Sequence, residues 1–456
     1  MSVQKPSIPK GTRDFNPEVV NKRNYLIQTI RTTFKKFGFL PLETPTMENL
    51  SVLTGKYGDE GDNLIFKIVN SGDYLSKVKT DLSKTTSNQL TPQIAEKGLR
   101  YDLTVPFARY VTMNRSEITF PFRRFQIQPV WRADRPQKGR YREFLQCDAD
   151  VVGTTSLLCE AEIIMMLNEI FNNLGIDGYE IKVNSRKILS GLASYLNHSG
   201  EESALCVAID KLDKIGTEGV FKELSQIGYK QNELNNLAPI LEVTGNNIEK
   251  INLLSKIITN NEDVSKGLEE IKSMFSYVDS MNGDLSTVSF DPSLARGLSY
   301  YTGLIFEVKM KDGSIGSISG GGRYDNLTGV FGMPDVSGVG ISLGIDRVYD
   351  VMETRDLFPK EVKVATQVLI INFGEEEERF ALKQLSHLRN AGIAVELYPN
   401  SAKLKKQMTY AHNLSIPYVV LIGSNEIATN TLTVKEMETG NQETLSIENL
   451  ISKLIN

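Results

Sequence analysis

The sequence predicts an α+β protein with an antiparallel sheet, a helical insertion and a separate C-terminal α/β domain. An apolar alternation between Phe122 and Gly153 is interrupted by a polar, glycine-containing stretch, which is typical of a β-hairpin and thus of antiparallel pairing. Helical periodicity runs from about residue 185 to 282. From residue 363 onward, three buried-type strand patterns alternate with two helical patterns, which favours a small parallel or mixed sheet.

Length and composition limit the classes of protein. With 456 residues the chain is too long for one core, and we expect domains at 1–355, carrying the insertion, and at 363–456. No apolar run reaches the roughly 18 residues of a membrane span, and the first residues lack an apolar signal core, so we expect a cytoplasmic protein. The three cysteines are isolated and the three histidines form no cluster with them, so we expect no protein metal site. The net charge of −5 argues against bulk nucleic-acid binding, although not against a local footprint.

The N-terminal segments predict a helix, an extended segment, a short strand and then a polar loop. Asn16-Pro17-Glu18 is a good helix start, and Gly38 ends the helix. Residues 39–45 (FLPLETP) predict an extended edge or interface strand because prolines interrupt them. A short strand at 64–68 and a mobile polar loop over 70–97 follow.

Asp102 and Thr104 are candidates for binding an amine. They lie two residues apart, so on a strand they would share one face, with a carboxylate beside a hydroxyl. The alternative is a turn aspartate followed by an ordinary strand threonine.

The hairpin carries a local excess of positive charge. Only Asp134 opposes it among the first residues of the hairpin. Arginines suit bidentate binding of phosphate oxygens. On the second strand Gln146, Asp148 and Asp150 alternate with apolar residues, so they share a face that could seat an amine or an imidazole. The alternative is a solvated strand face. The basic residues are Arg123, Arg124, Arg132, Arg135, Lys138, Arg140 and Arg142.

Three glycine-containing segments follow the insertion. The first, DPSLARGLSYYTG, carries Arg296 and the pair Tyr300-Tyr301. The second, SISGGGRYDNLTG, has three successive glycines that allow close backbone approach. The third, GVGISLGIDRVY, predicts a strand followed by a helix that bears Arg347; it does not fit the dinucleotide fingerprint because Leu343 occupies the third glycine position.

Together these segments resemble the class II aminoacyl-tRNA synthetases and, within them, the histidyl-tRNA synthetase family. FLPLETP is similar to motif 1, the hairpin to motif 2, and GISLGIDR to motif 3, and the resemblance covers nearly the whole chain. LARGLSYY and GGRYDNL are similar to the histidine-specific signatures. The chain departs from the commoner pattern in having aspartate at 102, 134 and 150 where glutamate occurs in other members.

The resemblance implies an enzyme that activates L-histidine with ATP and transfers it to tRNA(His). It implies a catalytic domain at 1–355, an anticodon-binding domain at 363–456, a homodimer, and Mg²⁺ accompanying the nucleotide. It assigns Arg296 and Arg132 to catalysis. The histidine-binding residues would be Asp102, Leu103, Thr104, Arg132, Gln146, Asp150, Arg296, Tyr300 and Tyr301. The ATP-binding residues would be Arg132, Arg140, Arg142 and Arg347, and the candidates for the tRNA end are Gln137, Lys138 and Arg142.

Two alternatives stay open at this point. A non-catalytic, histidine-binding regulatory paralogue would keep the fold but tends to lose the signature arginines and the C-terminal domain. A synthetase for another amino acid, such as proline or threonine, would lack LARGLSYY.

Overall fold

The computed structural model describes residues 5–76, 78–137, 139–295, 300–363 and 366–455. The chain divides into two compact units. The first comprises Met1–Arg13 and Leu26–Leu357, and the second comprises Asp14–Tyr25 and Phe358–Asn456.

Strands and helices alternate irregularly up to residue 357. The strands are β1 (Leu40–Pro41), β2 (Met47–Asn49), β3 (Lys67–Ile68), β4 (Lys97–Leu99), β5 (Phe122–Trp131), β6 (Glu143–Val152), β7 (Tyr179–Ser185), β8 (Val288–Phe290), β9 (Leu304–Met310), β10 (Ser319–Tyr324) and β11 (Gly338–Gly344). The helices are α1 (Pro17–Lys36), α2 (Leu50–Leu53), α3 (Gly58–Asn63), α4 (Ser87–Ile94), α5 (Thr104–Met113), α6 (Leu158–Asn173), α7 (Arg186–Tyr195), α8 (Glu202–Ile209), α9 (Leu212–Gln226), α10 (Gln231–Leu241), α11 (Asn247–Ile257), α12 (Glu262–Ser280) and α13 (Ile345–Thr354).

An eight-stranded sheet in the order β1-β5-β6-β11-β10-β9-β7-β8 organises the first unit. The outer pairs β1/β5 and β7/β8 are parallel and the pairs between them are antiparallel. Helices α7 to α12 lie in the chain between β7 and β8. The predicted antiparallel sheet and helical insertion are therefore confirmed.

The central hairpin has the predicted two-faced character. Cys147, Ala149 and Val151 on β6 are fully or almost fully buried, because they face the apolar side of the sheet. The intervening residues face the opposite side, as the period of two requires. In the register of the hairpin Arg124 lies opposite Asp150.

Two local predictions are wrong, and a third is confirmed only in part. The strand predicted at 64–68 is confined to β3, and the loop predicted over 70–97 contains α4. Helix α4 forms because Thr86 and Gln89 make a capping box, with the Thr86 N–H donating to Gln89 Oε1 at 3.0 Å. Asp102 and Thr104 share no strand: Thr104 begins α5, and the Asp102 carboxylate accepts from the Val105 N–H at 3.1 Å.

The second unit is a small mixed sheet between helices. Its elements are β12 (Val368–Ile370), α14 (Glu375–Asn390), β13 (Val395–Leu397), α15 (Leu404–Asn413), β14 (Tyr418–Leu421), α16 (Ser424–Thr429), β15 (Leu432–Glu436), β16 (Gln442–Leu445) and α17 (Ile447–Ile455). Its sheet has the order β13-β12-β14-β15-β16, with β13, β12 and β14 parallel. Leu369 packs in the apolar cluster on one face of the sheet, while Val368 and Ile370 pack in the cluster on the other. Burial of both faces explains the continuous apolar runs of its strands.

Candidate active site

A cavity of about 520 Å³ lies on the polar face of the large sheet. Strands β6, β10 and β11 form its floor, and the hairpin connection and the loop before α5 form parts of its wall. Its lining is Tyr101, Asp102, Thr104, Arg132, Asp134, Gly139, Arg140, Tyr141, Phe144, Gln146, Asp148, Asp150, Asp210, Tyr300, Tyr301, Glu307, Ser317, Ile318, Ser319, Gly320, Gly321, Tyr324, Gly340, Ile341, Ser342, Gly344, Asp346 and Arg347.

Three polar residues of β6 project from the floor. Gln146, Asp148 and Asp150 are 9%, 2% and 3% exposed, so each must find its polar partners inside the cavity. Gln146 Nε2 donates to Ser342 Oγ at 2.9 Å, whereas Gln146 Oε1 and Asp148 Oδ1 accept no hydrogen bond within the described residues. The predicted shared face of these residues is confirmed. Gln146 Oε1 and Asp148 Oδ1 remain available to a ligand, whereas Asp150 Oδ2, which also accepts no hydrogen bond from the described residues, lies 2.7 Å from Arg124 Nη2.

Asp150 is held by two partners from other strands. Arg124, which is fully buried on β5, places Nη2 2.7 Å from Asp150 Oδ2. Tyr324 on β10 donates its hydroxyl to Asp150 Oδ1 at 2.7 Å. The Arg124 guanidinium also lies 4.2 Å from the centre of the Phe107 ring. Asp150 is therefore both charge-paired and oriented before any ligand enters.

Asp102 occupies the wall beside the start of α5. Its Oδ1 accepts from the Tyr57 hydroxyl at 3.0 Å as well as from the Val105 N–H. Thr104 follows at the first position of the helix and also lines the cavity. Asp102 and Thr104 thus both line the cavity, and a helix-starting turn rather than a strand brings them there.

The arginines of the cavity are fixed by backbone and aromatic groups. Arg132 donates from Nε to the Tyr101 carbonyl at 3.0 Å, and its guanidinium lies 4.2 Å from the Tyr101 ring centre. Arg140 pairs with Asp134 at 2.7 Å. Arg347 donates to the carbonyls of Gly139 and Ser317. Planar cations held in this way suit phosphate and carboxylate oxygens.

Two glycines are required where β11 packs against its neighbours β10 and β6. A Cβ on Gly321 would lie 2.0 Å from the Gly340 carbonyl oxygen, and a Cβ on Gly340 would lie 2.0 Å from Asp150 Oδ1. The glycines expected to allow close approach therefore bring strand backbone against strand backbone and against a site carboxylate.

Burial controls the ionisation of the cavity. It raises the pKa of Asp102, Asp148 and Asp150, and that of Asp148 reaches about 7. Arg124 opposes the rise at Asp148 and Asp150 by favouring the charged carboxylate. Because burial disfavours the charged form of these carboxylates, a positively charged ligand group that binds beside them would be stabilised by restoring their charge.

Several predicted site residues lie elsewhere. The Leu103 side chain is buried in the core, although its carbonyl accepts from Arg124 at 3.3 Å. Neither Gln137 nor Arg142 lines the cavity; Arg142 donates from Nε to the Asp134 carbonyl at 3.1 Å. Arg296 and Lys138 lie outside the described residues.

Sequence reasoning missed Tyr324 and Tyr57 as parts of the site, and it named Arg124 only among the hairpin arginines suited to phosphate rather than as the partner of Asp150. The register of the hairpin offered a signal for Arg124, since it pairs across strands with Asp150. Tyr324 and Tyr57 come from distant segments, and no local pattern pointed to them.

Two features are absent from the part of the chain that the structure describes. No group of three or more His, Cys, Asp or Glu side chains among them could hold a metal ion. Within the same residues no helix is both long and apolar enough to cross a membrane.

Comparisons with known proteins agree along almost the whole chain. Residues 73–348 match the family model of histidyl-tRNA synthetase, and residues 367–456 match that of an anticodon binding domain. The histidine–tRNA ligase of Cytophaga hutchinsonii is 54% identical over 453 residues, covering 99% of this chain and 100% of that protein. That of Phocaeicola vulgatus is 53% identical over 449 residues, covering 98% of each.

One solved structure agrees with these matches, and a second shares the fold. The crystal structure of histidyl-tRNA synthetase from Nostoc sp. PCC 7120 superimposes with a TM-score of 0.84 at 30% identity, covering 99% of both chains. An ATP phosphoribosyltransferase regulatory subunit/histidyl-tRNA synthetase from Bacillus halodurans has a TM-score of 0.71 at 20% identity, covering 92% of this chain and all of that one, and shows the fold alone.

The mixed eight-stranded sheet, its arginine- and carboxylate-lined cavity and the C-terminal domain define a class II aminoacyl-tRNA synthetase. Such enzymes consume ATP. Since the family model covers more than half of the residues and the relatives align over their full length, the chain belongs to the histidyl-tRNA synthetase family.

Proposed function

We propose that the protein is a histidine–tRNA ligase, which joins L-histidine to ATP as histidyl-adenylate, releases pyrophosphate, and then transfers histidine to the 3′ end of tRNA(His). The observation that carries this proposal is the single cavity that combines buried carboxylates on β6 with fixed arginines from the hairpin and α13. Carboxylates suit the cationic groups of histidine, and arginines suit the phosphates of ATP.

In the first step a histidine carboxylate oxygen attacks the α-phosphorus while the bond to the pyrophosphate oxygen breaks. Arg132 and Arg347 would bind the negative charge on the phosphates, because both project into the cavity from backbone-anchored positions. Arg140 would serve the same phosphates from the hairpin. Mg²⁺ would enter with the nucleotide as part of the substrate. Positioning and electrostatic stabilisation then supply most of the catalysis.

Histidine would bind across the floor. Asp102, Thr104 and Gln146 would receive the α-ammonium group, and Asp150 with Tyr300 and Tyr301 would contact the imidazole. A site that hydrogen-bonds a polar side chain rejects analogues lacking it by about 10⁴-fold, because its own buried groups would be left unpaired.

Other parts of the chain would handle tRNA and assembly. Gln137, Lys138 and Arg142 at the hairpin tip are our candidates for contacting the tRNA end, and the second unit would bind the anticodon. Exposed apolar side chains near the motif 1 segment, Leu40 at 59% and Met47 at 54%, favour a homodimer interface there. We place the enzyme in the cytoplasm.

The test is amino-acid-dependent pyrophosphate exchange with each of the twenty amino acids. Exchange should depend on histidine. If histidine binds but no amino acid supports exchange, the protein is instead a regulatory paralogue.

The same assay tests Arg296. We expect Arg296→Ala to slow exchange by about 10²-fold, the effect of losing one donor to transition-state charge, while folding persists. The matched control is Arg379→Ala, since Arg379 pairs only with Glu375 on the surface of α14 in the described contacts. Near-normal exchange in Arg296→Ala would refute the catalytic assignment of Arg296.

A further inference from the structure

Asp148 is a buried carboxylate whose hydrogen-bonding capacity is not filled by the described protein. It is 2% exposed and lines the cavity, and its Oδ1 atom has no hydrogen-bond partner there. An unsatisfied buried acceptor of this kind costs free energy unless a ligand donates to it.

The neighbours of Asp148 leave this oxygen available. In the sheet Asp148 lies opposite Gln126 on β5 and Ser342 on β11. The Gln126 amide donates instead to Thr44 Oγ1 at 2.8 Å and Gln128 Oε1 at 2.6 Å. Ser342 does hydrogen-bond with the Asp148 carboxyl, but Oδ1 is not the oxygen that it satisfies.

The fully buried Arg124 forms its ion pair with Asp150. Arg124 lies 2.7 Å from Asp150 Oδ2, and Tyr324 donates to Asp150 Oδ1. Asp150 therefore has a charge partner for Oδ2 and a hydrogen-bond donor to Oδ1, although Oδ2 itself accepts no hydrogen bond from the described part of the chain. Within the described residues Asp148 has neither a close ion pair nor a donor to Oδ1. Of the two carboxylates, Asp148 has the greater need of a donor from the substrate.

Histidine has two kinds of hydrogen-bond donor that can reach the floor of the cavity, the α-ammonium group and the imidazole N–H. Its α-ammonium group is matched by Asp102, by Thr104 and by the unpartnered Oε1 atom of Gln146. The imidazole N–H remains, and Asp148 is the next cavity-facing residue along β6 from Gln146. We propose that Asp148 is a specificity-determining residue that accepts a hydrogen bond from the imidazole ring of histidine, beside Asp150. This inference rests on the proposed histidine–tRNA ligase function.

The test compares the binding of two ligands to the full-length protein. It distinguishes a contact of Asp148 with the imidazole ring from a contact with the α-ammonium group. L-histidine carries both groups, whereas imidazole-4-lactate keeps the ring and carboxylate and replaces the ammonium by a hydroxyl. Asp148→Asn should weaken the binding of both ligands in calorimetry by a similar factor, about 10- to 100-fold, as for loss of a hydrogen bond to a charged group. Asp102→Asn should weaken histidine binding and leave imidazole-4-lactate binding nearly unchanged.

The matched control is Asp177→Asn, because the Asp177 side chain is 98% exposed and should affect neither ligand. The proposal is overturned if Asp148→Asn weakens histidine alone, if it weakens neither ligand, or if the KM for ATP rises by the same factor. A second measurement applies if imidazole-4-lactate binds too weakly for calorimetry. The ratio of kcat/KM in exchange for histidine over 3-(thiazol-4-yl)alanine, whose ring lacks an N–H, should fall in Asp148→Asn, and an unchanged ratio refutes the proposal.

The two hypotheses fail in different ways. Absence of histidine-dependent exchange in the unmodified protein would refute the proposed ligase function. Normal exchange in that protein together with normal ring recognition in Asp148→Asn would refute only the role of Asp148.

Discussion

Asp150 and Arg124 form a buried ion pair whose halves depend on each other. Asp150→Asn keeps the shape of the side chain but leaves a fully buried guanidinium without its counter-charge. We expect this change to lower the free energy of unfolding of the first unit by about 3–5 kcal/mol, measured by urea denaturation. Replacing both residues by leucine should recover part of the loss, since no unpaired charge then remains; equal losses in the single and double variants would contradict the pairing.

Asp148 makes the stability of the ligand-free protein depend on pH. Burial raises its folded pKa from 3.8 to about 7; Arg124 and the Ser342 hydrogen bond oppose the rise, and Asp150 and Asp102 add to it. The folded state therefore binds this proton more tightly than the unfolded state. The resulting stabilisation is complete below pH 3.8 and is lost as the pH rises through 7.

We expect a decline on the order of 4 kcal/mol in the free energy of unfolding between these pH values from this group alone. Denaturation curves of the ligand-free protein and of Asp148→Asn, compared across that range, measure the contribution. Parallel pH profiles for the two proteins would show that Asp148 does not titrate in this way.

Strands β10 and β11 can pair closely only because glycines lie at their contact. Gly321→Ala would place a methyl group 2.0 Å from the Gly340 carbonyl oxygen, where backbone rather than a flexible side chain must move. We expect a destabilisation of about 1–3 kcal/mol, the usual cost of overpacking, together with loss of exchange activity as the floor shifts. Gly344→Ala is the control for stability, because its nearest neighbour is 3.7 Å away; equal stability of the two variants would refute the packing argument.

Activation of histidine should depend on the first unit alone, whereas charging of tRNA should depend on both units. A chain truncated after Lys360 keeps Phe358, whose ring lies 6.4 Å from that of Tyr25, and lacks the mixed sheet of the second unit. We expect histidine-dependent exchange to persist, whereas tRNA charging should fall by about 10²-fold because one of two tRNA-binding surfaces is gone. A folded, truncated protein without exchange activity would show that the second unit supports the catalytic site.

Amphipathic patterning in the sequence alone determined most of the secondary structure elements and which of their faces are buried. The alternation in β5 and β6, the apolar strands after residue 363 and the helical period of the insertion each reflect burial on one or both faces of an element, so the sequence carries them locally. The same period of two placed Gln146, Asp148 and Asp150 on one face, and the joint motifs indicated the family. The exact domain boundaries and the site roles stay predictions.

Tertiary structure decided which of these groups are paired and which are available. Asp102 reaches the cavity through a helix-starting turn, and Arg142 hydrogen-bonds backbone outside it. Asp150 is charge-paired with Arg124 from one strand and accepts a hydrogen bond from Tyr324, 174 positions further along the chain, on another. Within the described residues Asp148 Oδ1 has no hydrogen-bond partner. Local sequence cannot determine this, because hydrogen bonding and burial depend on partners that only folding brings within 3 Å.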